Sequence, residues 1–231
     1  MKFILDHDKK VIIGWSAKCG CSHVKNMFLF LINKENQELH GKWANNRLPN
    51  HNISEYTVII IIRNPFKRLV SGFINKYNYS PSEFYSRWPK QIPLTFQHFL
   101  SQILRSNWKA IDKHHFTPQI SEYWKQSLLQ HPKLHVFDIE NIDYNLFEKL
   151  YNKKIPQHIL DFRGPPGHIN DRTKIYPKQD KVFGKLLNSY NQYKVPLKKF
   201  YTKEIIKIMK FFYKKDFKFA TQFNFHYELS P

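Results

Sequence analysis

The stretch Tyr56-Thr-Val-Ile-Ile-Ile-Ile62, followed directly by Arg63-Asn-Pro65, decides the fold of this chain. A continuous run of β-branched residues is typical of a strand that is buried on both faces, as in a parallel sheet. Proline can occupy the first turn of a helix. Beyond it, apolar residues recur at helical spacing, at Phe66, Leu69, Val70 and Phe73. The sequence here predicts a buried strand that leads into a helix.

The same strand-to-helix pattern occurs on either side of this stretch. Val11–Trp15 is a short apolar run followed by a turn of small residues and a helical pattern over about 22–32. Residues 134–138 are predicted as another buried strand, with a helix over 144–151. Strands that alternate with helices predict one α/β domain, spanning 1–231, with a central parallel sheet flanked by helices.

The other segments have weaker patterns. Helical spacing recurs at residues 95–104, 118–129 and 202–215. In the last of these, Thr202 would cap the helix, and Lys214 and Lys215 would lie at the negative end of its dipole. Residues 34–55 and 163–178 are predicted as loops, the first with room for a short helix.

Composition limits the class of protein. The chain has 231 residues, 42% of them hydrophobic, so it can bury a core and intrinsic disorder is a poor explanation for its lysines. The formal net charge of +19 attracts anions: nucleic acid, an anionic membrane, a sulfated or carboxylated polymer, or a phosphorylated cofactor. Charge alone does not choose among these.

The only two cysteines, Cys19 and Cys21, are separated by one residue. A disulfide across so short a gap would be strained, and the spacing does not suit zinc, so reduced thiols are predicted. Met1–Lys10 contains no long apolar run. The sequence therefore predicts a soluble, cytoplasmic protein without a membrane anchor.

The first candidate site is Lys18-Cys-Gly-Cys-Ser-His-Val-Lys25, where a strand leads into a helix. Backbone N–H groups at such a turn form an anion site, and small residues let a phosphate approach closely. In nucleotide triphosphatases the lysine follows the last glycine, whereas here Lys18 precedes Gly20. An ordinary nucleotide triphosphatase or kinase is therefore disfavoured, and a tight turn without function stays open.

The second candidate site is Arg63-Asn-Pro-Phe-Lys-Arg-Leu-Val-Ser-Gly-Phe73. Arg63 at the strand end could bind a phosphate with two donors, and Ser71 on the next helix could add its hydroxyl. The alternative is that Arg63 caps the sheet and that Ser71 only contributes to the packing of its helix.

Together, these two stretches closely resemble the sulfotransferases that use 3′-phosphoadenosine 5′-phosphosulfate (PAPS), in particular their carbohydrate branch. The first is similar to the family's 5′-phosphosulfate loop and the second to its 3′-phosphate motif. Weaker similarity continues at residues 115–119, 136–140, 168–173, 200–204 and 212–217. The resemblance implies a P-loop-like sulfotransferase fold and a basic enzyme that carries out carbohydrate sulfation without a metal, releasing adenosine 3′,5′-bisphosphate (PAP).

The resemblance also implies residue roles. Lys18 would lie near the 5′-phosphate and neutralise charge as the bond to sulfur breaks. Arg172 and Lys174 would close over the cofactor or contact an anionic acceptor, although an exposed loop with ordinary charges remains an alternative. The residues implied in cofactor binding are Lys18, Cys19, Gly20, Cys21, Ser22, His23, Arg63, Ser71 and Arg172.

A histidine with a pKa near neutrality suits the general base that would deprotonate the acceptor hydroxyl. In related enzymes the base often lies between the two phosphate motifs, which makes His40 the first choice. The alternatives are His51, His115 and Glu55.

The acceptor is left open. A saccharide is favoured, and the basic surface suits an anionic one. The hydroxyl of a small secondary metabolite is the alternative. A nucleic-acid-binding protein is the alternative of another class, although no recognisable RNA- or DNA-binding motif is present.

Overall fold

The computed structural model describes residues 1–48, 53–76, 96, 99–100, 113–120, 128–162, 181–182, 185–186 and 197–229. Residue contacts divide the chain into two compact units. The first unit comprises Met1–Arg63 and Gln119–Ile169, and the second comprises Asn64–Pro118 and Asn170–Pro231. That residues 1–231 form one sulfotransferase domain stays a prediction.

The first unit contains a four-stranded sheet in the order β1-β2-β3-β4. Its strands are β1 Lys2–Asp6, β2 Val11–Trp15, β3 Thr57–Ile62 and β4 Leu134–Asp138. β2, β3 and β4 run parallel, whereas β1 pairs with β2 in the antiparallel sense. The predicted α/β class with a central parallel sheet is confirmed.

Helices lie between and after the strands. They are α1 Cys21–Leu31, α2 Pro65–Lys76, α3 Lys113–Phe116, α4 Tyr144–Tyr151, α5 Gln157–Leu160, α6 Lys203–Phe212 and α7 Lys214–Gln222. Two short 3-10 helices cover Lys42–Ala44 and Leu197–Phe200. The two-residue strands β5 Lys181–Val182 and β6 Lys185–Leu186 form an antiparallel pair.

The core of the first unit lies on one face of the sheet. Side chains alternate between the two faces of a strand, and one set packs with α1, α4 and α5. From the strands this set contains Ile4, Val11, Ile13, Trp15, Ile59 and Ile61, and from the helices Val24, Met27, Phe28, Leu31, Phe147, Tyr151 and Ile159. Val58 and Ile60, on the opposite face of β3, are buried too. Burial on both faces is what the β-branched run predicts.

The core of the second unit is aromatic. Its buried members include Phe66, Phe73, Phe96, Phe99, Phe116, Phe200, Tyr201 and Tyr213. The buried tyrosine hydroxyls each donate to a backbone carbonyl, Tyr201 to Phe66 at 2.8 Å and Tyr213 to Phe116 at 2.6 Å. These bonds satisfy the hydroxyl groups of both tyrosines.

Three predictions about elements need correction. The sequence does not predict β1, whose charged ends suit a strand at the edge of the sheet. The predicted helix over 202–215 ends at Phe212, because the backbone of Tyr213 leaves the helical region at φ −98° and ψ 25°. Lys214 and Lys215 therefore begin α7 instead of ending α6. Pro118–Ile120, predicted as the start of a helix, is irregular.

Other element predictions are confirmed. Thr202 caps α6, its side chain accepting a hydrogen bond from the N–H of Ile205 at 3.3 Å. In residues 95–104 the described positions Phe96, Phe99 and Leu100 are helical, and the others lie outside the described residues. The predicted loop over 163–178 also lies outside them.

Candidate active site

The carboxyl ends of β2, β3 and β4 meet at one edge of the sheet, because the three strands are parallel. Ser16–Gly20 follows β2, Arg63 follows β3 and Ile139 follows β4. In open α/β sheets, ligands bind outside this edge. Both predicted phosphate-binding corners therefore begin at the edge where a ligand is expected.

The loop after β2 is a tight turn. The N–H of Cys19 donates to the carbonyl of Ser16 at 3.1 Å. Lys18 and Gly20 both have positive φ, 67° and 66° respectively, whereas Cys19 between them does not. Alternation of this kind turns successive N–H groups toward one point, which is how backbone amides form an anion-binding concavity.

Only glycine fits at position 20. A Cβ on Gly20 would lie 2.3 Å from Cδ1 of Ile139, and the left-handed φ is already unfavourable for other residues. Gly20 is also the N-cap of α1, with the N–H of Val24 bonded to its carbonyl at 3.0 Å. The N–H groups of the first turn have no acceptor within the helix and strengthen the anion site.

One buried hydroxyl in this loop supports a polar ligand. Ser16 is 5% exposed, and its Oγ has no hydrogen-bond partner within the part of the chain that the structure describes. A buried hydroxyl without a partner is costly. An anion bound at the loop could accept a hydrogen bond from the Ser16 hydroxyl. The residues present therefore fit a ligand that carries a phosphate. Ser16 was not among the predicted site residues.

The two predicted corners meet directly. Nη1 of Arg63 donates to the carbonyl oxygen of Lys18 at 2.9 Å. The guanidinium of Arg63 and the turn that carries Lys18 are therefore neighbours at the edge of the sheet. A guanidinium beside a turn whose backbone can bind an anion suits a ligand with more than one negative group.

A buried glutamine joins the same two corners. Gln119 is 2% exposed; its Oε1 accepts from the N–H of Arg63 at 2.9 Å, and its Nε2 donates to the carbonyl of Arg63 at 2.9 Å. The thiol of Cys19, which is fully buried, donates to the same Oε1 at 2.7 Å. Neither Cys19 nor Cys21 forms a disulfide, as the sequence predicts.

His23 is fixed by its partners. Its Nδ1 lies 3.1 Å from the carbonyl oxygen of Phe162, and its Nε2 lies 3.0 Å from the hydroxyl of Tyr144. A carbonyl only accepts, so Nδ1 carries the hydrogen and Nε2 of the neutral ring accepts from the tyrosine. The side chain of His23 is thus bound within the protein, and its predicted contribution to cofactor binding would come from its backbone N–H.

Lys25 is a buried lysine on α1. It is 2% exposed, its Nζ lies 3.8 Å from the ring centre of Trp15, and it is 3.4 Å from Nδ1 of His40. Burial lowers the pKa of Lys25 and outweighs the opposite effect of the nearby Cys21. The contact with Trp15 is a cation–π interaction that offsets part of the desolvation.

The lowered pKa of Lys25 predicts a pH dependence of stability. Between the folded and unfolded pKa values the unfolded chain binds more protons, so the free energy of unfolding should rise with pH as it approaches 10.5. We expect Lys25→Met to reduce this rise. Urea denaturation at pH 7.5 and pH 9.5 measures it. Lys34→Met, at an exposed position, is the control, and an equal rise in all three proteins would contradict the assignment.

The other predicted site residues are dispersed. Ser71 lies on α2 in the second unit and is partly buried; its role at a 3′-phosphate stays a prediction. His115 lies on α3, where its ring contacts those of His114 and Phe116. Glu55 is exposed. His51, Arg172 and Lys174 lie outside the described residues.

Two classes of feature are absent from the described part of the chain. No group of three or more His, Cys, Asp and Glu side chains there is arranged to hold a metal ion. No helix among the same residues combines the length and the apolar composition that crossing a membrane requires.

Comparison with known proteins agrees with the geometry of the site. A search of curated proteins and a search of solved structures gave no match. The model of one protein family, described as the sulfotransferase family, matches residues 1–219. This match covers both predicted phosphate-binding corners and nearly the whole chain. The chain therefore belongs to the sulfotransferase family, whose members are enzymes that transfer sulfonate groups.

Proposed function

We propose that this enzyme transfers a sulfonate group from PAPS to the hydroxyl of a carbohydrate. The observation that carries the proposal is the contact between Arg63 and the carbonyl of Lys18, at 2.9 Å. It brings a guanidinium to the anion-binding turn, as recognition of a nucleotide with phosphates at both the 3′ and 5′ positions requires. PAPS supplies the activated sulfonate, and its 3′-phosphate distinguishes it from ATP.

Lys18 is proposed to stabilise the charge that develops on the leaving 5′-phosphate. Its side chain is partly exposed, and its backbone is held by the turn and by Arg63. Sulfonate transfer resembles phosphoryl transfer, in which catalysis depends on positioning and charge stabilisation. The amides of residues 20–23 and the hydroxyls of Ser16 and Ser22 are proposed to hold the 5′-phosphate, whereas the N–H of Cys19 already donates to the carbonyl of Ser16.

His40 is proposed as the general base. It is exposed, so an acceptor can reach it. An ammonium only donates hydrogen bonds, so the charged Lys25 donates to Nδ1, and the neutral ring then carries its proton on Nε2. Nδ1 is therefore the basic atom. An acceptor hydroxyl that displaces Lys25 from Nδ1 would give up its proton there as its oxygen bonds to sulfur and PAP departs.

We expect His40→Ala to lower turnover by about 10²–10⁴-fold, the usual contribution of a general base. Binding of PAP should stay within about twofold, because PAP binding does not require deprotonation of an acceptor. Single-turnover kinetics and calorimetry measure the two quantities. His7→Ala, in the turn after β1 and hydrogen-bonded to Tyr56, is the control. Full turnover in the His40 variant would assign the base to another residue.

An acceptor screen tests the reaction itself. The protein is incubated with PAPS carrying radiolabelled sulfur and with a panel of neutral saccharides, anionic saccharides and small hydroxylated metabolites. Mass spectrometry should show a saccharide gaining the mass of one sulfonate. Transfer only to small metabolites would keep the reaction and replace the acceptor class. Absence of transfer, together with no affinity for PAP, would refute the proposal.

A further inference from the structure

We propose that Gln119 is a positioning residue that holds Arg63 in place for the 3′-phosphate. This inference rests on the proposed function, because it assigns to Gln119 the selectivity between PAP and nucleotides that lack a 3′-phosphate. Gln119 would act on the ligand only through Arg63. Its replacement is therefore expected to change the selectivity between nucleotides.

Gln119 extends the sheet by one residue at the end of β3. The last ladder pair of β3 and β4 joins Ile62 and Asp138, and the N–H of Ile139 donates to the carbonyl of Ile62 at 2.9 Å. Arg63 comes next. The side-chain amide of Gln119 bonds both its N–H and its carbonyl, each at 2.9 Å, as a neighbouring strand would. Buried backbone groups need such partners, and the amide supplies both.

A closed ring of contacts then fixes the side chain of Arg63. Gln119 binds the backbone of Arg63, Nη1 of Arg63 binds the carbonyl of Lys18, and the thiol of the next residue, Cys19, binds Gln119. Each contact restrains the next. The ring also gives Cys19 a role, because its thiol serves as a buried donor to Gln119.

Preorganisation is the physical consequence. A flexible arginine side chain loses rotamer freedom when it binds an anion, and restraint before binding reduces that loss. The restraint acts on the guanidinium of Arg63, which is proposed to meet the 3′-phosphate. Loss of the Gln119 amide should therefore weaken the binding of ligands that have a 3′-phosphate. The binding of ligands without one should stay nearly unchanged.

Replacing Gln119 with methionine keeps the length of the side chain and removes both bonds to Arg63. We expect the dissociation constant of PAP, measured by calorimetry, to rise about tenfold, the effect of one charge-assisted hydrogen bond at the lower end of its range. The dissociation constant of AMP, which lacks the 3′-phosphate, should change by about twofold or less. A merely structural role would weaken both ligands alike.

Two further variants make the test decisive. Gln157→Met carries the same substitution at an exposed position on α5 and should bind both ligands as the wild type does. Gln119→Glu keeps an acceptor for the N–H of Arg63 and, when ionised, loses the donor to its carbonyl. Its ratio of PAP to AMP dissociation constants should therefore lie between those of the wild type and Gln119→Met. Thermal melts show which variants fold. If Gln119→Met does not fold, Gln119→Glu decides.

The possible outcomes are distinct. Equal loss of both ligands, or failure of both Gln119 variants to fold, would mean that Gln119 only supports the fold and would overturn the inference. A folded Gln119→Met protein with the wild-type ratio of PAP to AMP dissociation constants would overturn the inference as well. A wild-type protein that binds PAP and AMP equally would instead refute the proposed function.

Discussion

Replacing Lys18 with alanine is expected to lower sulfonate transfer by about 10²–10³-fold, the effect of removing one donor from developing charge in a transition state. The substitution keeps Cβ, so it should not change the cost of the positive φ of 67° at this position. The carbonyl of residue 18, which accepts from Arg63, also stays. Single-turnover rates with radiolabelled PAPS measure the loss, and a thermal melt shows whether the fold is kept.

The control for Lys18 is a lysine outside the site. Lys34→Ala removes a cation from the exposed segment after α1 and should retain full activity. Lys18→Arg keeps the charge and changes the position of the donor, so its rate should lie between those of the wild type and the alanine variant. A folded Lys18→Ala protein that turns over at the wild-type rate would remove Lys18 from the mechanism.

Replacing Arg63 with alanine is expected to weaken binding of PAP by about 10–100-fold. The estimate follows from a charge-assisted hydrogen bond to phosphate, worth about 1.5–3 kcal/mol. Binding of AMP should change much less, because AMP has no 3′-phosphate. Calorimetry with both nucleotides gives the ratio of the two dissociation constants, and that ratio should approach one.

Arg63→Lys separates charge from geometry. Lysine keeps the positive charge but lacks the planar pair of donors that matches a phosphate, so most of the selectivity should be lost in this variant as well. Arg47→Ala, at an exposed position, is the matched control and should bind like the wild type. Selectivity that survives in folded Arg63→Ala would assign the 3′-phosphate to other residues, Ser71 first.

The local parts of this fold could be predicted from the sequence. The β-branched run of β3 and the helical spacing of α1 and α4 depend on neighbouring residues, and the structure confirms all three. β1 was missed because its alternation is short and its ends are charged. The break at Tyr213 was missed because no glycine or proline lies near it in the sequence. The buried ring of Tyr213 is held by a tertiary contact, in which its hydroxyl donates to the carbonyl of Phe116.

The same distinction applies to the site. The positions of both corners could be predicted because each is a continuous motif, in which Lys18 or Arg63 follows a strand. Gln119 could not, because its partners Arg63 and Cys19 lie 56 and 100 residues away. Its position within a stretch similar to the family, residues 115–119, was the only signal. The contact between Lys25 and His40 is also tertiary, although only 15 residues separate them.

The central claim is that the Lys18 turn and Arg63 together bind one adenosine nucleotide with phosphates at its 3′ and 5′ positions. Calorimetry of the wild-type protein with PAP, AMP and adenosine 3′-monophosphate tests it most directly. We expect one PAP to bind per chain, at least about tenfold more tightly than either monophosphate. Equal affinity for the three nucleotides, or no binding of PAP, would contradict the claim.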